Sequence, residues 1–319
     1  MKLRLAQTDP VDSGQLSVSV LSAQNNFPIS GAKVRITRTG PEERPVEELR
    51  TDTSGQTEEI TVGTPPLEYS MEPGESRPYA EFTITVSAPG YESQTVEGTE
   101  VLPEAEALQN IRLRPLSEDE GAAPVIQIPD HTLYGFYPPK IAEPEVKPIA
   151  ESGSIVLSRV VTPETIIVHD GAPTNSSAKN YYVPYKDYIK NVASSEIYAN
   201  WPEAAITANV LAIMSFTMNR VYTEFYRNRG YDFTITSSTA YDHKWIYGRN
   251  IFESISVIVD EIFSDYLSRP DVKQPILTQY CDGRQVSCPG WMTLWERNCI
   301  FFLSYELNFF FTFSKIVLK

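Results

Sequence analysis

Cysteine is scarce in this sequence and confined to one end of it. The 319 residues include three cysteines, and Cys281, Cys288 and Cys299 all fall within the last 40 residues. A fold stapled by disulfides needs paired cysteines spread along its chain. The sequence therefore excludes a disulfide scaffold, and its length suits two domains that each bury a hydrophobic core.

Basic residues are also in deficit. The chain has 27 Lys and Arg against 41 Asp and Glu, which gives a net charge of −14 and a pI of about 4.8. Phosphate binding depends on clustered Lys and Arg. This balance argues against nucleic acid and against an anionic membrane surface as partners. The acidity lies largely in the first 150 residues, so it describes the front of the molecule.

Long apolar runs are missing at both ends. The opening MKLRLAQTDP reaches Asp9 without an apolar core, so no signal peptide is visible. The aromatic tail at 291–319 is interrupted by Arg297, Glu306 and Asn308. A membrane-spanning helix needs about 20 successive apolar residues. We therefore expect no membrane span here. The tail indicates either a shifted or truncated reading frame or a divergent terminal helix or strand.

Alternating apolar and polar residues dominate positions 13–116. The strings GQLSVSVLS, GAKVRITRTG and AEFTITVSAPGYESQTVE alternate, NIRLRPL follows them, and turns such as TDTSGQTEE separate them. Short alternating strands with Gly, Pro and Asp turns predict an all-β sandwich. The motifs GAKVRIT, T-D-x-x-G-Q and PGYES resemble carboxypeptidase-regulatory-like (transthyretin-like) modules of secreted bacterial proteins. The resemblance implies a spacer or adhesion module; a partner bound at a sheet edge is the alternative.

Residues 117–150 are rich in Pro and Glu and lack sustained periodicity. Such composition predicts an extended, semi-rigid linker. The aromatic string VIQIPDHTLYGFYPP within it predicts packing against a neighbouring domain. His131 is the single histidine of this stretch, and we expect it to be solvated or packed and not a metal ligand.

Residues 151–290 predict an α+β domain. Two β segments, SGSIVLSRVV and ETIIVHDG, come first, and His169 at the end of the second is expected to be structural. Helical spacing then predicts a short helix from Tyr185 to Ala193, a tight connection that carries Glu196, and a long helix over 204–226. Small residues at 204, 208, 212 and 215 of the long helix would allow close packing. A third helix is predicted over 250–268.

The start of this domain carries a specific motif. Val183 and Pro184 are followed by Tyr188 and Val192, then by SEIYANWP at 195–202 and an Ala-rich helix that reaches a tyrosine. This order resembles the SpoIID/LytB family, the stage II sporulation protein D type of cell-wall enzyme. The resemblance extends with breaks over about 152–290. The acidic residue after Val-Pro is displaced here, and the Met-Pro of the family has become Ile-Tyr.

The resemblance implies that Glu196 is the catalytic acid and base of a lytic transglycosylase. One carboxyl group protonates the departing glycosidic oxygen and then takes a proton from the C6 hydroxyl of the sugar, which attacks the anomeric carbon. A 1,6-anhydro-muramic end results, and no second carboxylate is required, unlike in most glycosidases. LytB-like relatives imply the alternative, a non-catalytic cell-wall-binding or amidase-modifying protein on the same fold. Aromatic candidates for stacking on sugar rings are Tyr188, Tyr198, Trp201, Tyr241 and Trp245.

The cysteines leave three states open. Cys281 and Cys288 are predicted to lie close across a short hairpin, with a disulfide, free thiols or zinc as alternatives. Some family members bind zinc through cysteines and a histidine, and His243 is the candidate partner here. Zinc needs three or four ligands, so no cofactor is the primary expectation. Cys299 is expected to pair with neither.

The expected partners and location follow from the resemblance. Peptidoglycan glycan strands are the expected substrate, with another cell-wall hydrolase as a second partner and no nucleic acid. The expected location is the cell wall, the extracellular space or the spore envelope. Since no signal peptide is visible, a leader absent from this sequence or another export route is implied. The expected organisation is a sandwich at 13–116, a linker at 117–150, the SpoIID-like domain at 151–290 and the tail at 291–319.

Overall fold

Strict alternation builds the strands of the N-terminal region. In Ala80–Ser87 every second side chain is buried, and Phe82, Ile84 and Val86 are at most 1% exposed. Strand side chains point alternately to two faces, so this pattern gives one face to a core. The computed structural model describes residues 12–40, 44–72, 76–116, 123–131, 133, 138–144, 157–281, 292–293 and 317–318. The first elements are β1 (Asp12–Ser22), β2 (Lys33–Arg38), β3 (Arg44–Arg50), β4 (Ile60–Thr64), α1 (Glu68–Met71), β5 (Ala80–Ser87), β6 (Gln94–Val101), β7 (Glu106–Leu113) and β8 (Ile126–Gln127).

The two longest helices follow a short pair of strands. Pro184 precedes the first long helix with extended backbone, and Pro202 does the same before the second. Both prolines suit this place because their missing N–H is not needed there. The later elements are β9 (Thr165–His169), β10 (Asn180–Pro184), α2 (Tyr185–Glu196), α3 (Glu203–Tyr222), a 3₁₀ helix (Arg227–Arg229), β11 (Ile235–Thr236), β12 (Ile251–Phe252), α4 (Glu253–Ile262), β13 (Leu267–Ser268), β14 (Tyr280–Cys281), β15 (Met292–Thr293) and β16 (Val317–Leu318).

Two main sheets form the N-terminal β-sandwich. One has the strand order β3-β2-β5-β6-β8 and the other β4-β1-β7-β12. A buried hydrogen bond of 2.8 Å from Thr99 Oγ1 to Gln109 Oε1 joins β6 of one sheet to β7 of the other. A smaller sheet, β10-β9-β11, lies beside the helices of the later region. The predicted fold class, an all-β N-terminal region followed by an α+β region, is confirmed.

The chain divides into two compact units that do not follow the sequence order. Unit 1 comprises Met1–His131, Tyr198–Asn200 and Tyr247–Ser254. Unit 2 comprises Thr132–Ile197, Trp201–Ile246 and Ile255–Lys319. Unit 1 therefore takes two short segments from the part of the chain that sequence reasoning assigned to the second domain.

The second of these segments completes the sandwich. Strand β12 pairs antiparallel with β7, with Ile251 opposite Leu108 and Phe252 opposite Ala107. The side chain of Asn250 accepts a hydrogen bond from the Glu100 N–H (3.1 Å) and donates one to the Glu100 carbonyl (2.9 Å). An amide side chain can satisfy both backbone groups of one residue in this way. Distant sequence thus contributes a strand and a backbone partner to unit 1.

A buried charged cluster lies beside that strand. Glu100 Oε2 contacts Arg249 Nη2 at 2.6 Å and His131 Nδ1 at 3.2 Å, and the Glu100 and Arg249 side chains are both fully buried. Burial alone would raise the pKa of Glu100, but Arg249 and His131 favour its charged form and lower the pKa to about 2. We call these three residues the sandwich cluster. His131 is thus packed, which is one of the two states expected from the sequence.

Helix α2 begins at Tyr185, as predicted, but the helices end at other residues than predicted. Helix α2 continues to Glu196, so that glutamate lies in the helix and not in the connection. Helix α3 ends at Tyr222, because the next residues turn and Glu224 adopts a left-handed φ of 46°. Helix α4 covers ten residues, Glu253–Ile262, because the flanking residues of the predicted helix form β12 and β13.

The strand predictions of this region need two corrections. Residues 157–161, the described part of SGSIVLSRVV, are not a strand, and strand β10 was not predicted. The small-residue stripe of α3 is buried at Ala212 and Ser215, whereas its first member, Ala204, is exposed. Ser215 Oγ accepts a hydrogen bond of 2.8 Å from Leu267 N, so the chain does approach closely there. Among the described residues, no helix combines the length and apolar character needed to cross a bilayer.

Candidate functional site

Glu196 is the last residue of helix α2. The helix stops there because Ile197 adopts an extended conformation, with its N–H bonded to the Ala193 carbonyl. The Glu196 side chain is buried, with 8% of the residue exposed. The last carbonyls of a helix carry partial negative charge, and burial disfavours a charged carboxylate. Glu196 therefore presents a buried carboxyl group at the negative end of a helix.

One short segment, residues 242–246, lies against helix α2. Lys244 N donates a 2.7 Å hydrogen bond to Glu196 Oε1. The Asn191 side chain binds both backbone groups of Ile246. Its Nδ2 donates to the Ile246 carbonyl at 2.8 Å, and its Oδ1 accepts from the Ile246 N–H at 3.0 Å. We call residues 242–246 the docked segment. It fixes one oxygen of Glu196 as a hydrogen-bond acceptor.

A tyrosine of α2 meets the same segment. Tyr188 is fully buried, and its hydroxyl lies 3.3 Å from His243 Nδ1. Burial raises the pKa of Tyr188 well above its ordinary value, and the carboxylates of Asp242 and Glu196 raise it further. Tyr188 is therefore a neutral phenol at physiological pH, placed to orient the His243 ring.

The docked segment begins at a fully buried aspartate. Asp242 Oδ1 accepts from Arg220 Nε at 2.7 Å. Its Oδ2 accepts from the Tyr226 hydroxyl (2.5 Å) and from both Thr236 N (2.9 Å) and Thr236 Oγ1 (2.7 Å). A buried carboxylate with these partners has its hydrogen-bonding capacity met. Asp242 therefore holds the start of the segment rigidly.

Most of the predicted sugar-stacking rings are buried. Tyr188, Tyr198, Trp201 and Trp245 are each 6% exposed or less, and Tyr241 is half-buried. The Trp245 ring packs against Tyr181 at 5.3 Å, and Tyr198 lies 5.1 Å from His131 within unit 1. In this structure the four buried rings therefore belong to cores. Their sugar-binding role stays a prediction.

The candidate zinc and disulfide residues can be followed only in part. His243 is fully buried beside Tyr188, and Cys281 lies on β14, whose backbone pairs with Thr293. Cys288 and Cys299 lie outside the described residues, as does most of the tail. Within the described part of the chain, no group of three His, Cys, Asp or Glu residues is placed to hold a metal ion.

A cavity of about 120 Å³ in unit 2 is lined in part by Arg220 and Tyr226, two of the side chains that bind Asp242. Its lining includes Pro163, Thr165, Glu224, Arg227 and Thr234. Glu196 is not among its lining residues.

Sequence reasoning missed the polar residues that position the docked segment. These are Asn191 on α2, Arg220 on α3 and Asp242 itself. One signal was present in the sequence: Arg220 is the single charged residue in the run NVLAIMSFTMNRVY at 209–222. A charge in such a run is buried if the helix is, and a buried charge requires a partner.

Comparison with solved structures gives only distant similarity. Transthyretin from Sparus aurata has 17% identity and a TM-score of 0.22, covering 32% of this chain and 90% of that one. 3-Chlorocatechol 1,2-dioxygenase from Rhodococcus opacus has 13% identity and a TM-score of 0.24, covering 35% of this chain and 64% of that one. A minor pilin from Streptococcus agalactiae has 11% identity and a TM-score of 0.23, covering 35% of this chain and 49% of that one.

Sequence comparison is more informative for the second region. No curated protein matches this chain. The family model SpoIID, described as Stage II sporulation protein, matches residues 174–256. The matched range contains helix α2 with Glu196, helix α3 and the docked segment. The region that holds the candidate site is therefore similar to the SpoIID domain.

Proposed function

We propose that this chain is a cell-wall protein related to sporulation, and that it cleaves peptidoglycan glycan strands as a lytic transglycosylase with Glu196 as acid and base. The observation that carries the proposal is the placement of Glu196. It is a buried carboxyl group at the negative end of a helix, oriented by the Lys244 N–H, within the range that matches the SpoIID model.

The geometry suits the first proton transfer. The Lys244 N–H binds Oε1, so Oε2 is the oxygen that carries the proton when Glu196 acts as the acid. Oε2 then protonates the glycosidic oxygen as the bond to the anomeric carbon breaks. The resulting carboxylate accepts the proton of the C6 hydroxyl, whose oxygen bonds to that carbon. The net reaction needs no water and restores the carboxyl group.

The alternative is a protein on the same fold that binds the cell wall or modifies another hydrolase without cleaving glycan. Two observations favour this alternative: the burial of Glu196 and the core positions of four predicted sugar-stacking rings. Substrate must gain access to Glu196 for cleavage, whereas a binding role has no such requirement.

The remaining parts of the proposal concern location and partners. Peptidoglycan lies outside the cytoplasm, so the protein would work in the cell wall or spore envelope. The N-terminal sandwich would act as a spacer or adhesion module for the SpoIID-like region. Another cell-wall hydrolase is the partner expected under the non-catalytic alternative.

The test is a Glu196→Gln variant of the full chain, incubated with purified sacculi. Gln keeps the size and the acceptor oxygen of Glu but cannot supply the proton. We expect the release of 1,6-anhydro-muramic products, detected by mass spectrometry, to fall by about 10²–10⁴-fold. Glu203→Gln, at an exposed position in the first turn of α3, is the matched control and should retain full activity.

Two results would contradict the transglycosylase. Unchanged product release by Glu196→Gln would exclude this residue as the acid. A wild-type chain that sediments with sacculi but releases no anhydro product would instead support the binding alternative.

A further inference from the structure

Part of the Pro- and Glu-rich stretch predicted as a linker belongs to unit 2 and is hydrogen-bonded to it. We call residues 138–144 the strap. Its Ile141 N donates to the Ala240 carbonyl at 2.8 Å, and its Lys140 Nζ donates to the Asp242 carbonyl at 2.7 Å. Two successive strap residues thus bind the chain immediately before and at the start of the docked segment.

A glutamine fixes the strap from its other side. Gln279 Nε2 donates to the Ile141 carbonyl at 3.0 Å, and its Oε1 accepts from Glu143 N at 3.3 Å. These bonds hold the backbone on both sides of Ala142. The strap is therefore fastened by backbone contacts, which do not depend on the side chain of Glu143.

The Glu143 side chain reaches a buried arginine. Its Oε2 and Oε1 accept from Arg220 Nη1 at 2.9 Å and Nη2 at 2.7 Å, a bidentate pair. Arg220 is 1% exposed, and its Nε binds Asp242. Bidentate pairs add directional restraint as well as energy. Arg220 Nη2 also donates to the Tyr241 carbonyl at 3.0 Å. Glu143 is therefore one of the groups that restrain the guanidinium group bound to Asp242.

The restraint continues to the candidate catalytic group. Asp242 begins the docked segment, and Asn191 fixes Ile246 at its other end. The Lys244 N–H that binds Glu196 lies midway between these two anchors. A shift of Asp242 changes the position of that N–H because only one residue separates them.

We infer that Glu143 is a positioning residue for Glu196, acting through Arg220, Asp242 and the backbone of the docked segment. The inference rests on the proposed function for its catalytic consequence. Its structural consequence, a docked segment whose order depends on the strap, is independent of that function.

The test replaces Glu143 by Gln in the full chain. Gln keeps the size but offers one acceptor and places an amide against the guanidinium group. Misplacement of about 1 Å around a reacting group can cost about 10²-fold in rate. We expect kcat for anhydro-product release to fall by about 10- to 100-fold with the half-saturating amount of sacculi unchanged. Amide hydrogen exchange in residues 240–246 should be about tenfold faster.

Two further variants separate positioning from general damage. Glu261→Gln, at an exposed position of helix α4, makes the same chemical change and should alter neither measurement. Glu143→Asp retains the charge with shorter reach, so it should restore part of both the rate and the protection. If Glu143→Gln does not fold, Glu143→Asp and Lys140→Met carry the test by the same two measurements.

The outcomes are distinguishable from those of the proposed function. Exchange and kcat equal to those of Glu261→Gln would overturn the positioning role while leaving the function of Glu196 intact. If the wild-type chain cleaves no glycan, the proposed function fails and exchange alone decides. Faster exchange at 240–246 then supports the role, and unchanged exchange overturns it.

Discussion

Each unit of this protein buries an arginine against carboxylates, but the two clusters do different work. In unit 1, the sandwich cluster joins Arg249 to Glu100 and His131 among side chains that are all fully buried. In unit 2, Arg220 joins Asp242 to Glu143, and the Glu143 side chain retains 11% exposure. The first cluster fastens a strand to a sheet. The second lies two residues from the N–H that orients Glu196.

The difference shows how the same chemistry serves rigidity in one place and positioning in another. The sandwich cluster joins three chain segments inside the core of unit 1, where all three of its side chains are fully buried. A cluster with two carboxylates on different chain segments couples those segments. The strap and the docked segment are coupled in this way through Arg220.

Arg249→Met and Arg220→Met form a matched pair that tests this comparison with the largest expected effect. Each change leaves buried carboxylates without their main partner, and such a loss costs about 3–5 kcal/mol. Hydrogen-exchange mass spectrometry should show lost protection in β6 and β7 for Arg249→Met and in residues 236–246 for Arg220→Met.

Arg112→Met, at an exposed position of β7, controls for the loss of one positive charge. Equal loss of protection in both units from either single substitution would show that the two clusters are not separate. A loss no larger than that of Arg112→Met would show that they contribute little.

Acid titration should reveal the sandwich cluster through Glu100. Its pKa in the folded state is lowered to about 2 from an ordinary value of 4.5. The stability that Glu100 contributes is therefore fully present above pH 4.5 and is lost as the pH falls toward 2. Two and a half pKa units correspond to about 3 kcal/mol. Urea unfolding of unit 1 at several pH values below 4.5 measures this loss.

The measurement must stay below pH 4.5 because the contribution of Glu81 to stability changes above that pH. Burial raises the pKa of Glu81 to about 7, so its own contribution is lost as the pH rises through 7. The control is Glu100→Gln, which should flatten the dependence between pH 4.5 and 2. A slope that persists in this variant would assign the acid sensitivity to another group.

Gly248→Ala should have the smallest of these effects on stability. It tests how tightly the segment Tyr247–Ser254 packs within unit 1. Gly248 has a φ of +79°, and an added Cβ would lie 2.5 Å from Ile126 Cγ2. Gly230 in unit 2 has a φ of +83° with open space around it. Left-handed backbone costs a side chain roughly 1–2 kcal/mol, so Gly230→Ala measures that cost alone.

We expect Gly248→Ala to destabilise by about 1 kcal/mol more than Gly230→Ala, because Ile126 must shift. Urea midpoints of the two variants give the difference. Equal midpoints would show that the 247–254 segment is loosely held.

Local sequence patterns predicted many of the strands, the starts of two helices and the candidate catalytic residue. Alternation predicted the strands because a sheet with one buried face imposes a period of two. Helical spacing and two prolines predicted the starts of α2 and α3, and the SEIYANWP string distinguished Glu196 from the other glutamates of the chain. These features depend on neighbours along the chain, so the sequence contains them directly.

Other features were decided only by tertiary structure. Helix α4 is shorter than its pattern because Ile251 and Phe252 find a sheet edge at β7, and no local signal marks that edge. Helix α2 holds Glu196 because the chain turns only at Ile197. Three contacts join residues far apart in sequence. Glu100 binds Arg249 across 149 residues, Arg220 binds Glu143 across 77, and Glu196 binds Lys244 across 48. Contacts at such separations arise from packing in three dimensions, which periodicity and composition do not encode.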